Sequence, residues 1–192
     1  MSHNKARLHK VHYFQELLAS QEVSESIRPL LKLSRDTIVR LQRTEYALVS
    51  SLTRDPLLAE RVKRLRTVPG VGPITALTWA LEIGDVLRFP SIKQAISYCG
   101  LCGDEKSSAE VSKRMPISKQ RNKHIQSVLI EAAKLAPRYH PDLALVYEKE
   151  KQKGNANRAT LAVARKLVAY LLAVDRGQRD FVITENHSSA AA

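Results

Sequence analysis

Arg158-Ala-Thr-Leu161-Ala-Val-Ala164-Arg-Lys-Leu167-Val168-Ala-Tyr-Leu171-Leu172-Ala-Val174 is the stretch on which the fold turns. Leu161, Ala164, Leu167, Val168, Leu171 and Leu172 recur three and four apart, and almost nothing polar interrupts that face. Such a strip belongs to a helix in the core. The segments before it have the same character. Leu143 to Lys151 reads as a helix between the turn at His140-Pro141 and the polar break Gly154-Asn155-Ala156-Asn157. Pro116-Ile117-Ser118 reads as the start of another, with Ile125, Val128, Leu129 and Ala132 as its buried stripe and an end near Ala136-Pro137. Thr75 to Ile83 is expected to turn Leu77, Ala80 and Leu81 inward and to stop at Gly84-Asp85. Pro90-Ser91 then opens a helix from Ile92 to Cys99, with Ile92, Ala95, Ile96 and Cys99 on one side. Gly100 to Met115 carries Gly, Asp, Ser and Lys without helical period and reads as mostly loop, with room for a short extended pair. The sum is an all-α fold with little sign of a sheet.

Toward the N-terminus the first 27 residues mix His, Lys and Gln with short apolar clusters, and some helix is expected there. From Arg28, Leu31, Ile38 and Leu52 share one heptad position, interrupted by Glu45, while Leu41 and Leu48 share the other, interrupted by Ser34. This predicts a coiled-coil-like amphipathic helix of about two dozen residues. It serves either to pair with another protomer or to pack on its own domain. Asp55-Pro56 breaks it, and a shorter helix follows from about Leu57 to Arg66. The expected organisation is an extension over 1–27, a pairing region over 28–66, a domain over 67–176 and a tail over 177–192, whose last residues hold too little apolar material to order themselves.

Charge narrows the partner. Thirty-one Lys and Arg stand against 19 Asp and Glu, a formal net charge of +12 in 192 residues. An excess of this size favours polyanions, nucleic acid first, through phosphate neutralisation and counterion release. No run of about 18 apolar residues occurs and the N-terminus has no apolar leader region, so the expectation is a cytoplasmic protein with no membrane partner. Cys99 and Cys102 form a Cys-x-x-Cys pair, but no companion ligands stand at zinc spacing, and two small buried residues are the plainer reading. No metal site is expected.

Two elements suit phosphates. In Val68-Pro69-Gly70-Val71-Gly72-Pro73 the glycines permit a tight helix-hairpin-helix turn, with Val68, Val71 and Leu77 as apolar anchors. Main-chain N–H groups at Gly70, Gly72 and Thr75 could then approach a phosphate oxygen at a helix N-terminus. Without a ligand it is only a tight turn. Farther on, Lys113, Arg114, Lys119, Arg121 and Lys123 make the densest cation cluster in the chain, and Lys119 and Lys123 are expected to share a helix face with Asn122 nearby. They clamp phosphates or form a solvated face. Ser107 and Ser108 precede the cluster, and a serine becomes a nucleophile only with a base, a metal or a strong positive field.

Taken in order, Thr67 to Ala76, Glu82-Ile83-Gly84-Asp85 with Arg88-Phe89-Pro90-Ser91, Tyr98-Cys99-Gly100-Leu101, Ser107-Ser108, and Ile117-Ser118-Lys119 with Asn122 resemble a known set. It is the C-terminal transposase domain of the bacterial insertion-sequence family that includes Piv-type DNA invertases and bridge-RNA-guided recombinases. The resemblance runs from about Arg28 to Arg176. It implies that a serine of this domain attacks DNA and forms a phosphoserine link, with Ser108 first and Ser107 second in line for that role. It also implies Mg²⁺, held by an acidic tetrad of a separate N-terminal RNase H-like domain, and DNA as partner, with a guide RNA in some members. Ala109, Met115 and Arg121 stand where the family has glycines. The chain begins just upstream of the coiled-coil region, so the expectation is the serine-bearing half of such an enzyme, a homo-oligomer or a partner of a full-length transposase. The alternative is a non-catalytic, nucleic-acid-binding remnant.

Overall fold

The computed structural model describes residues 7–108, 111–117 and 122–182 of the chain, which divides into two compact units, residues 1–48 and 49–192. Lys119 and Arg121 of the cation cluster, Ala109, and the tail from Asn186 to Ala192 lie outside the described residues.

In the first unit, α1 (Val11–Ala19) lays Phe14 under the guanidinium of Arg35, 4.7 Å from the ring centre. The same guanidinium donates to the carbonyls of Leu8 (2.9 Å) and His9 (3.2 Å), so one arginine holds the start of the chain by packing and by hydrogen bonds. Arg35 belongs to α2 (Arg28–Leu52), 25 residues long, in close agreement with the helix expected from the heptads. None of its residues is buried. Of the stripe Leu31, Ile38, Leu41, Leu48 and Leu52, only Leu31 is half-covered.

The second unit is built round α8 (Ala156–Gly177). The Asn155 side chain accepts from the Arg158 N–H at 3.0 Å and caps its start, and the chain leaves it through Gln178 in the left-handed region. Val163, Ala164, Leu167, Val168, Leu171 and Leu172 are all buried on it. Against it pack α3 (Ala59–Leu65), α5 (Ile92–Tyr98), α6 (Lys123–Leu135) and α7 (Pro141–Gln152), while α4 (Pro73–Ile83) lies on α3 and α6. The all-α class is thus the architecture of the core. Two details of the expected faces differ: Leu81 and Ile92 are exposed, and Ala76, Trp79 and Ile83 fill the inward side of α4 instead. Among the described residues no helix is long and apolar enough to cross a membrane.

One buried charge ties three helices. Asp175, on the last turn of α8, receives Arg61 Nε (2.8 Å) and Nη2 (2.7 Å) from α3 and the indole N–H of Trp79 (2.9 Å) from α4. Arg61 also donates to the Ala80 carbonyl at 3.2 Å. A carboxylate taken out of water is tolerated when this many donors meet it.

Between α5 and α6 stands the short extended pair for which the sequence left room, an antiparallel hairpin of β1 (Gly103–Ser108) with β2 (Val111–Ile117), and it takes the place of the helix start expected at Pro116-Ile117. Val111, Met115 and Ile117 fall at even spacing, the period of a strand, and α6 begins only at Lys123. The pairing shifts by one residue between Gly103 and Glu105, which sets Met115-Pro116 opposite Asp104. A proline has no N–H to give a ladder, so a bulge is where it fits.

The expected tight turn between two helices rests on one of its two glycines. Gly70 has φ +79°, and a Cβ built on it would lie 2.7 Å from the Ala136 Cβ and 2.8 Å from its Cα, so the turn is pressed onto main chain that follows α6. Gly72 has ordinary extended angles, open space around it, and caps α4 ahead of Pro73. Gly70→Ala is therefore expected to lower the unfolding free energy by about 2 kcal/mol or more, and Gly72→Ala to cost under about 1 kcal/mol, as read by urea denaturation. Equal losses would refute the distinction. Asp175→Ala, which strands the Arg61 charge and the Trp79 N–H, should cost about 3 kcal/mol in the same assay; a loss below about 1 kcal/mol would show the pair to be dispensable.

Candidate nucleic-acid interface

The serine hairpin grows from a root fixed by side chains of two helices. α5 ends at Tyr98, and the chain turns through Gly100 at φ +67° with Cys99 and Leu101 fully buried. The carbonyl of Gly100 accepts from Gln126 Nε2 of α6 at 2.6 Å, and that of Leu101 accepts from Arg165 Nε of α8 at 2.8 Å. Two consecutive peptides are thereby oriented just before β1. At the far end Asn122 caps α6, its Oδ1 accepting from the N–H groups of His124 (3.0 Å) and Ile125 (3.3 Å), while its Nδ2 donates to the Glu82 carboxylate. The same Glu82 offers its carbonyl to Tyr98 Oη at 2.9 Å and to Arg88 Nη2 at 3.3 Å, and the Arg88 guanidinium lies 4.6 Å and 4.4 Å from the Phe89 and Tyr98 ring centres. Asn122 is thus the helix entry, Lys123 is the first residue of α6, and the Lys119 half of the expected Lys119–Lys123 face lies outside the described residues.

Within the hairpin, Ser107 pairs with Ser112, Ser108 with Val111, Lys106 with Lys113 and Glu105 with Arg114. Alternation along a strand puts the two serines at positions of opposite faces. Ser108 shares its face with the Lys106–Lys113 pair, and Ser107 shares its own with Ser112, Glu105 and Arg114.

Thr75, expected to meet phosphate, is buried in α4. The Gly72, Ile74 and Thr75 N–H groups at the start of that helix have no intrahelical partner, whereas Gly70 is committed to Ala136. The exposed cations near these elements are Lys63 and Arg66 on the approach to the turn and Lys123 on α6, where His124 is exposed as well. The cysteine pair behaves as small packing residues. Burial pushes the Cys99 thiol up to about 12 from an ordinary 9.0, and Cys102 is half-buried. Among the described residues no three His, Cys, Asp or Glu stand close enough to hold a metal ion.

Gln126, Arg165 and Glu82 escaped the sequence reading as site residues. Their signal was present: Gln126 adjoins Ile125 within a buried stripe, and Arg165 interrupts the apolar run of α8.

Comparison with known proteins places these elements in context. The Transposase IS116/IS110/IS902 family profile matches residues 62–148, which covers the glycine turn, the root, the hairpin and α6. The chain is 30% identical to a putative transposase y4qE of Sinorhizobium fredii over 148 residues, 76% of this chain and 38% of that protein. It is 30% identical to the pilin gene-inverting protein of Moraxella bovis over 179 residues, 88% of this chain and 55% of that protein. It is 28% identical to the transposase for insertion sequence element IS1111A of Coxiella burnetii over 138 residues, 70% and 36%. The chain thus spans about half or less of the length of these curated relatives.

The thiols give a direct check of the root. A chromogenic disulfide reagent at pH 8 should titrate one thiol, Cys102, in the native chain and two after denaturation; two fast thiols in the native state would mean that Cys99 is not sealed. Because the folded thiol ionises later than the unfolded one, its contribution to stability is whole below pH 9.0 and is lost as pH rises toward about 12.

Proposed function

Residues 62–148 belong to the transposase IS116/IS110/IS902 family, and from that premise we propose that the chain is a DNA-binding, serine-bearing transposase or recombinase domain of an insertion element, with Ser108 as the nucleophile. In the step it performs, Ser108 Oγ attacks a DNA phosphorus. The Oγ–P bond forms as the P–O bond to a deoxyribose oxygen breaks, and the proton given up by the serine ends on the departing oxygen. The phosphodiester is exchanged for a phosphoserine ester, so strand joining can follow by the reverse chemistry without an external energy source.

The observation that carries the choice of Ser108 over Ser107 is its register. It stands two positions along the strand from the Lys106–Lys113 register pair, a doubled positive charge suited to a phosphate. Ser107 alternates with the Glu105–Arg114 register pair, whose opposite charges leave no net attraction for a phosphate. Arg114, Lys119 and Lys123 contribute further neutralisation, Asn122 fixes the entry of α6, and the N–H of Gly72 at the start of α4 offers a second, sequence-neutral grip on the backbone. Mg²⁺ does not fit the described residues, which have no acidic cluster for it; we therefore derive no step through it and assign its ligands to another domain or chain. The uncovered stripe of α2 suits pairing with a second copy or with a full-length transposase. A guide RNA is a further partner of this reading.

The alternative, a nucleic-acid-binding module without catalysis, is favoured by Ala109, Met115 and Arg121 at the family's glycine positions. Both readings meet one experiment. Labelled element-end DNA is incubated with Mg²⁺, this chain and a family RNase H-like domain, and a denaturation-resistant protein–DNA adduct is sought. The enzyme reading expects an adduct that Ser108→Ala abolishes and Ser107→Ala retains. An adduct that survives only in Ser108→Ala moves the role to Ser107, and DNA retention with no adduct from any variant leaves the non-catalytic module.

A further inference from the structure

Arg165 lies on α8, and its only hydrogen bond among the described residues runs from Nε to the Leu101 carbonyl. That bond fixes the plane of the guanidinium at the hairpin root. It leaves the Nη1–Nη2 edge, the one that grips two phosphate oxygens at once, without a partner among the described residues. The side chain is part-buried, and no acidic partner takes its charge among the described residues, unlike Arg61, whose charge is spent on Asp175. Gln126 holds the neighbouring Gly100 carbonyl from the first turn of α6, where Lys123 and His124 are exposed. The root therefore gathers cations from α6 and α8 beside the strand that carries the serines.

We propose that Arg165 binds a DNA backbone phosphate next to the serine hairpin, its orientation set beforehand by the Leu101 carbonyl. This rests on the reading of the chain as a DNA-binding domain. An oriented guanidinium gives up little side-chain freedom on binding, so it contributes both affinity and the angle at which the strand passes the hairpin.

The test separates this role from a merely structural one by using two variants that each release one root carbonyl. Arg165→Gln removes a charge, and Gln126→Ala does not. Binding of a labelled DNA duplex by the full chain is followed over a series of salt concentrations, with thermal melting of each variant alongside. The expected result is that Arg165→Gln lowers the magnitude of the log–log salt slope by about 0.9, whereas Gln126→Ala leaves the slope unchanged whatever it does to the melting point. An unchanged slope in Arg165→Gln, with steep binding by the parent chain, overturns the assignment of Arg165 alone. A parent chain that shows no salt-dependent DNA binding overturns the assignment together with the DNA-binding reading. A slope change seen with an RNA duplex and not with DNA overturns the choice of DNA.

Discussion

The Asp175 carboxylate is the constraint from which the second unit is assembled. A charge in an apolar interior is stable only if its oxygens are answered, and here a guanidinium and an indole N–H answer them from two other helices. The geometry is demanding in a way that apolar packing is not. Leucines on α8 could slide by a fraction of a turn and still be dry, but a paired carboxylate cannot slip without losing a donor. The ionic contact therefore fixes the register of three helices that hydrophobic burial brings together. α4 runs from the glycine turn to Glu82, so the site inherits that register.

From this frame the candidate site is held at its edges. Gln126, Arg165 and the Asn122–Glu82 contact act on the two ends of the hairpin and not on its middle. A two-stranded ribbon alone has marginal stability in water. Fixing its ends sets the direction in which the hairpin leaves the helical core.

How much of this the sequence carried depended on which force dominates each segment. Helices whose burial is periodic were legible: the heptads located α2, the apolar run located α8, and Ser91 marked the start of α5 because its hydroxyl caps the helix. The hairpin was legible only as room for a short extended pair, and α6 was started too early because Pro116-Ile117-Ser118 also satisfies the rules for a helix start. Exposure of Leu81 and Ile92 shows the limit of face assignment on short helices, where one turn more or less rotates the apparent stripe. The glycine turn was recognised as a tight turn, but the residue it presses against was not. Gly70 is required by a neighbour far along the chain, and no local pattern announces that. The root contacts were invisible for the same reason: a lone Gln or Arg on a buried face signals an unpaired polar group but not the carbonyl that will pair with it.

The contact of Gly70 with Ala136 has a metric consequence. It seats the glycine turn at one end of α6, and Asn122 seats the exit of the hairpin at the other. The helix between them has 13 residues with neither Gly nor Pro, a stiff rod of about 20 Å at about 1.5 Å per residue. The separation of the two elements is thus a fixed length and not a variable of folding. Measured along B-form DNA, at about 3.4 Å per base step, it is roughly six steps: the helix is a ruler, and a duplex lying along it would touch turn and hairpin about half a helical repeat apart.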